Sequence, residues 1–279
     1  MGRLESAGSE KGGVAKPFLK WAGGKARLLS QYRPYFPDLG AATYHEPFLG
    51  GGAVYFRLAP SNARLADLNE ELVLCYQVVR DHPAKLISDL RRHRTDREYF
   101  YKVRGTDPAR LDSVRRASRI IFLNKTCYNG LYRVNRDGQF NVPYGRYARP
   151  VICDAENLRT ASRALRSARL SVGPFEVVLD HARRGDFVYF DPPYQPLSPT
   201  SSFTAYTHGA FGEADQRRLG AVFAELDRRG CRVMLSNSDT PLVRGLYRGF
   251  QLIEVRASRS INSVGSRRGR VGELLVLNY

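Results

Sequence analysis

Asp186-Phe187-Val188-Tyr189-Phe190-Asp191-Pro192-Pro193-Tyr194 is the stretch that decides how this chain is read. Its first five residues form a short apolar run rich in β-formers, the pattern of a buried central strand. Proline fixes φ and donates no backbone N–H, so Asp191-Pro192-Pro193-Tyr194 is stiff and cannot continue a sheet. A carboxylate, a carbonyl and an aromatic face are thereby gathered at the C-terminal end of a strand, where open α/β sheets bind ligands. One acceptor pair and one ring suit a planar heterocycle held by its exocyclic amine. Alone, the tetrapeptide reads equally well as a rigid turn.

Working outward, the whole chain has 279 residues, enough for one large domain or two smaller ones. Its 43% hydrophobic and 11% aromatic content is that of a globular protein. Lys and Arg number 44 against 27 Asp and Glu, a net charge of +17, which points to a polyanionic partner. Only seven of the 44 are lysine, a bias that a GC-rich genome produces without selection, so the net charge carries the argument. Cys75, Cys127, Cys153 and Cys231 form no Cys-x-x-Cys pair, which argues against a zinc site and a disulfide framework and fits a reduced cytoplasm. No apolar run of 18 residues exists and the N-terminus has no signal-peptide pattern, so no membrane partner is expected.

Residues 1–15 read as a flexible tail and order is expected from Lys16. A helix is predicted from about Ala26 to Tyr35, closed by Pro37. The preceding Gly23-Gly24-Lys25 fails as a nucleotide phosphate loop, because Leu19 and Ala26 stand where that motif needs Gly and Ser or Thr. Next, Thr43 to Phe56 reads as strand, turn and helix, with Gly50-Gly51-Gly52 letting backbone pass close to a ligand. A second strand ends on Asp67, 17 residues after Gly50, the place where nucleoside-binding α/β folds hold ribose hydroxyls. Asp67 could equally N-cap a helix starting near Asn69.

From Glu71 to Ile152 helical periodicity dominates, and 17 Lys and Arg against 8 Asp and Glu place +9 of the net charge there. Arg136-Asp137-Gly138 between two short β-prone runs is a hairpin signal. A basic helical insert with a hairpin is a nucleic-acid reader or a solvated charged face. Strand–helix alternation then resumes. Helices are expected near Glu156–Ala168, after Pro174 and near Glu213–Arg229, and strands at Leu170–Val172, Cys231–Leu235, Phe250–Val255 and Glu273–Tyr279. The last two strands, with no helix between them, imply an antiparallel pair.

With these motifs in order, the chain resembles the Dam family of DNA adenine-N6 methyltransferases. Lys16–Lys25, Glu46–Phe56, Leu65–Asn69, Asn124–Tyr147 and Phe187–Tyr206 carry the resemblance, extended by Arg259–Ser263 and Glu273-Leu274-Leu275, so that it spans essentially residues 16–279. It implies an α/β fold: a Rossmann-like S-adenosylmethionine-dependent methyltransferase sheet, mostly parallel with its last strand antiparallel. A catalytic domain of residues 16–70 and 153–279 would carry an inserted, mainly helical target-recognition domain, 71–152, with its hairpin. Trp21, Lys25, Phe48, Gly50, Asp67 and Asp191 fall where the family contacts S-adenosylmethionine. Asp191, Pro192 and Tyr194 would be catalytic, holding a flipped adenine; Phe203–Tyr206 would cover it.

On double-stranded DNA the resemblance gives Tyr128, Asn129, Leu131 and Arg133 the wedge and base contacts, and Lys20 the outer guanine of GATC. Arg104, Asn135, Tyr147 and Ser198 would hold phosphates. No metal is required, a monomer is expected, and a cognate restriction endonuclease, strand marking for repair or a phage setting all remain open. The competing readings are cytosine N4 or RNA adenine as substrate, and a DNA-binding relative without catalysis.

Overall fold

The computed structural model describes residues 13–194, 211–258 and 270–279. The expected roles of Ser198 and of Phe203–Tyr206 therefore lie outside the described residues, as does most of the N-terminal tail. Helices and strands run β1 (Tyr44–Glu46), β2 (Ala63–Asp67), β3 (Ala168–Val172), β4 (Phe187–Phe190), β5 (Arg232–Ser238), β6 (Gln251–Ser258) and β7 (Arg270–Leu277), with α1 (Leu29–Tyr32), α2 (Ala53–Leu58), α3 (Glu70–Asp81), α4 (Pro83–Leu90), α5 (Arg97–Gly105), α6 (Ser113–Thr126), α7 (Ala155–Leu165), α8 (Glu213–Arg228) and α9 (Pro241–Leu246).

The strands form one seven-stranded sheet in the order β3-β2-β1-β4-β5-β7-β6. Neighbours are parallel from β3 to β5, while β7 runs antiparallel to both β5 and β6. This is the mixed sheet of the methyltransferase class, with the antiparallel last strand the sequence implies. All four residues of β4 are buried, as a sheet covered on both faces requires. Alternation sends Phe187 and Tyr189 into one core and Val188 and Phe190 into the other. The first core also takes α3, α4, α6 and α7 without a break, so the helices of the 71–152 stretch share it with the sheet. The second lies under α8 and α9.

Several elements differ from expectation, each for a local reason. The helix from Ala26 to Tyr35 is three pieces: a 3-10 turn (Lys25–Arg27), α1, and a second 3-10 turn (Arg33–Tyr35). Gly24 supplies no capping side chain, and Pro34 has no N–H to continue the ladder. After Pro174 there is a 3-10 helix, Phe175–Asp180, instead of an α-helix. The hairpin closes on one bridge, Val134↔Phe140, with backbone bonds Asn135 N to Gln139 O and Asn141 N to Arg133 O. Gly138 turns it at φ 75°, a conformation that favours glycine. Helix α5 falls within the stretch of expected helical periodicity, whereas α9 adds a short helix between β5 and β6. Each starts from a capping side chain, Asp96 and Thr240. Among the described residues no helix is long and apolar enough to cross a membrane.

One side chain ties the N-terminal segment to the 71–152 stretch. Asn124 is fully buried near the end of α6; it accepts from Lys20 N at 2.8 Å and donates to Lys20 O at 2.7 Å and Gly130 O at 2.9 Å. Asn124→Ala would leave those backbone groups without partners. The expected cost is about 2–4 kcal/mol, read as a lower denaturant midpoint. A midpoint unchanged from wild type would contradict the role given to this amide.

Candidate active site

Four adjacent parallel strands end in polar side chains on the same edge of the sheet. In spatial order these are Asp67 on β2, Glu46 on β1, Asp191 just after β4, and Ser236 to Ser238 on β5. The order of strands reverses between β1 and β4, the crevice where open α/β sheets bind ligands. The loops leaving those two strands are the glycine turn and Asp191-Pro192-Pro193-Tyr194.

Asp191 is the centre of the arrangement. Its carboxylate is one-fifth exposed, and Lys25 Nζ, itself 3% exposed, lies 2.7 Å from its Oδ1. The Ser236 hydroxyl donates to that same oxygen at 3.1 Å. Burial raises the Asp191 pKa above the ordinary carboxylate value, with Glu273 adding to the rise; Lys25 and the Ser236 bond oppose it. Lys25 also donates to Gly23 O at 2.6 Å and sits 4.6 Å from the centroid of the Tyr194 ring. Lys25 thus contacts both Asp191 and the Tyr194 ring, far along the chain.

The stiff tetrapeptide is anchored at its far end. Gln216 Nε2, on α8, donates to Pro193 O at 3.2 Å, and Asn237 Nδ2 holds the other end of that amide at 2.9 Å. The Tyr194 hydroxyl donates to Glu273 Oε2 at 2.8 Å, and Tyr32 donates to the same oxygen at 3.1 Å. Pro192 is buried and Pro193 exposed.

The glycine turn is built against aromatic rings. Gly50 and Gly52 take φ 47° and 65°, and a Cβ at either would meet the Trp21 ring at 2.9 Å or the Tyr76 hydroxyl at 2.7 Å. Asp67 Oδ2 accepts from Gly50 N at 3.0 Å and its Oδ1 from Asn69 N at 2.9 Å. The alternative in which Asp67 caps the next helix fails: Asn69 does that, accepting from Leu72 N at 3.1 Å. Asp67 instead clamps the turn, and burial raises its pKa against those backbone bonds. Glu46 lies beneath, 2% exposed, accepting from Tyr44 at 2.8 Å; burial holds its pKa well above the usual value.

The other sequence-selected residues divide. Trp21 stacks on Tyr132 at 5.4 Å between centroids, spanning the glycine turn and the hairpin segment. Phe48 is embedded with Phe175, Phe190 and Phe211. Lys20 lies over the Tyr147 ring at 4.5 Å. Tyr128 and Asn129 are exposed, the latter at φ 54°. Leu131 packs partly against the core. Arg133 is exposed on the hairpin and donates to Asn141 at 2.6 Å. Asn135 is turned inward, its Oδ1 accepting from Asp137 N and Gln139 N. Arg104 donates to Val142 O at 3.3 Å beside the Tyr101 ring.

Sequence reasoning missed Tyr32, Ser236, Gln216 and a role for Glu273. Ser236-Asn237-Ser238 did leave a signal, since three polar residues close an apolar strand at its C-terminal end. Among the described residues no group of three or more His, Cys, Asp or Glu side chains is arranged to hold a metal ion.

Comparison with known proteins agrees with this geometry. Residues 21–261 match the family model described as D12 class N6 adenine-specific DNA methyltransferase. The chain is 45% identical over 286 residues to the Type II methyltransferase M.MjaIII of Methanocaldococcus jannaschii, covering 95% of this chain and 99% of that one. It is 44% identical to the Type II methyltransferase M1.LlaDCHI of Lactococcus lactis subsp. cremoris, covering 95% of each. Against a DNA adenine methylase of Salmonella typhi identity is 37%, over 94% of this chain and 95% of the other.

The pKa logic has a consequence for rate. A carboxyl with a raised pKa stays protonated to higher pH, and only its ionised form is a full acceptor. The acid limb of turnover should therefore lie above the ordinary carboxylate range. Ser236→Ala, which removes a bond that lowers the Asp191 pKa, should move that limb to still higher pH. A pH profile unmoved by Ser236→Ala would contradict the assignment.

Proposed function

The chain belongs to the D12 class of N6 adenine-specific DNA methyltransferases, and from that premise we propose that it takes its methyl group from S-adenosylmethionine and delivers it to a flipped adenine, in GATC. The observation that carries the reading is the Asp191 carboxylate, held on Oδ1 by Lys25 and Ser236 beside the Tyr194 ring.

The residues present suit the donor. Asp67 behind the glycine turn offers carboxylate lone pairs to hydroxyls, Lys25 offers an ammonium to a carboxylate, and Trp21 and Phe48 supply flat apolar surface. A side chain at Gly50 would run into the Trp21 ring. Trp21, Lys25, Phe48, Gly50, Asp67 and Asp191 would hold S-adenosylmethionine, which supplies a sulfonium methyl carbon open to direct attack.

The protein's task is to make a poor nucleophile attack. Adenine's amine lone pair is delocalised into its ring, and the base within a duplex is out of reach, so it must be flipped. Tyr194 stacks on it. Asp191 and the Pro192 carbonyl accept from the exocyclic amine, favouring a pyramidal nitrogen and stabilising the positive charge that develops on it. Because Lys25 and Ser236 both engage Oδ1, Oδ2 is the oxygen for the base amine. The stiffness of Pro192-Pro193 and the Gln216 anchor keep these acceptors from wandering, which is where positioning contributes rate.

Residues 71–152 act as the target-recognition domain beside the catalytic unit of 16–70 and 153–279. Arg133 reads a guanine through O6 and N7, Leu131 meets a thymine methyl, Tyr128 and Asn129 wedge the duplex, and Lys20 reads the outer guanine. Arg104, Asn135, Tyr147 and Ser198 hold phosphates, giving register and salt dependence. The enzyme works as a monomer in the cytoplasm with its DNA. The higher identity to two Type II methyltransferases than to the Salmonella methylase favours a cognate restriction endonuclease as its companion.

Asp191→Ala should lower single-turnover methyl transfer by about 10²–10³-fold or more at saturating donor. Turnover near the wild-type rate would overturn the catalytic assignment. Arg133→Ala should relax discrimination at one base pair by ~1–3 kcal/mol. A uniform loss across all sequences would make Arg133 a phosphate contact instead.

A further inference from the structure

Glu273 lies on β7, between Ser238 of β5 and Val255 of β6, and belongs to neither of the loops that build the site. Its Oε2 accepts two phenol hydroxyls, from Tyr194 at 2.8 Å and from Tyr32 at 3.1 Å. We propose that Glu273, backed by Tyr32, is a positioning residue for methyl transfer: it fixes the direction of the Tyr194 ring against which the target adenine stacks. The inference rests on the role given to Tyr194 above.

The argument is geometric. A tyrosine hydroxyl lies on the axis of rotation about Cβ–Cγ, so a bond to it leaves ring spin untouched but fixes where the ring points. The backbone end is already stiff at Pro192-Pro193 and tied through Pro193 O to Gln216. With Glu273 at the other end, the Tyr194 side chain is held at both extremities. Lys25 Nζ, 4.6 Å from the ring centroid, then biases the remaining spin.

Tyr32 explains why the acceptor stays in place. It is wholly buried, and its bond orders the carboxylate that it shares with Tyr194. Burial and the neighbouring Glu273 and Asp191 charges push both phenols above their ordinary pKa, so both remain donors wherever the enzyme works. A carboxylate accepting two O–H donors is a stronger anchor than a neutral oxygen. Tyr32 is the one buried residue of α1, and its hydroxyl is aimed at this oxygen.

The test uses the full-length enzyme and the duplex the wild type is found to methylate, with 2-aminopurine at the target position for fluorescence lifetimes and adenine for single-turnover rates. Wild-type binding should create a component quenched by stacking on Tyr194, distinct from that of the free duplex. Glu273→Leu should move amplitude from the quenched to the bright component and slow transfer by ~10–100-fold, the scale expected of a small misplacement. Glu273→Gln, which keeps an acceptor oxygen, should restore most of the rate. In a Tyr194→Phe background, Glu273→Leu should cost nothing further.

Equal losses with and without the Tyr194 hydroxyl would overturn the proposal, as would a Gln variant as slow as the Leu one. If Glu273→Leu does not melt cooperatively, Tyr32→Phe carries the same comparison, with a smaller loss that vanishes in the Tyr194→Phe background. Lifetimes unchanged on wild-type binding would strike at Tyr194 as the stacking ring. A wild-type response that persists undiminished in Glu273→Leu would strike only at Glu273.

Discussion

The ion pair between Lys25 and Asp191 is the constraint to which the rest of the site answers. A carboxylate at the end of a fully buried strand loses most of its hydration, and a lone charge there would protonate or unfold its surroundings. One lysine and one serine hydroxyl offset that cost on a single oxygen. The neighbouring Glu273 charge pushes the other way. The ion pair also ties the N-terminal Lys16–Lys25 segment to the end of β4.

Around this pair the sheet does the sorting. Its central strand β4 is buried on both faces, and the polar C-terminal ends of β2, β1, β4 and β5 gather on one edge. Reversal of strand order between β1 and β4 opens the crevice there. The glycine turn enters it from one side and the stiff tetrapeptide from the other. Asp67 contributes by clamping the turn through two backbone N–H groups. Asn124 of α6 joins Gly130, at the start of the hairpin stretch, to Lys20 of the N-terminal segment.

What could be read beforehand was whatever local sequence encodes. Phe187 to Phe190 announces a strand by its β-rich apolar run, and Pro192-Pro193 announces its end. The ordered motifs announced the family, and with it the antiparallel last strand. Hidden from the sequence were features set by partners far along the chain. The segment after Lys25 has helical periodicity, yet it is broken into three short pieces, and its buried Tyr32 meets Glu273, 241 residues away. Asp67 and Asn69 are both plausible caps by type; only the position of the Gly50 N–H decides between them. Glu273 is one acidic residue in a terminal strand, and nothing near it in sequence marks the two hydroxyls it receives.

The most direct measurement is transfer of labelled methyl groups from S-adenosylmethionine to two duplexes that differ only at the adenine of GATC. The account predicts label on the duplex that keeps its adenine and none on the one in which it is replaced. Equal label on both, or none on either while the donor remains bound, would contradict it.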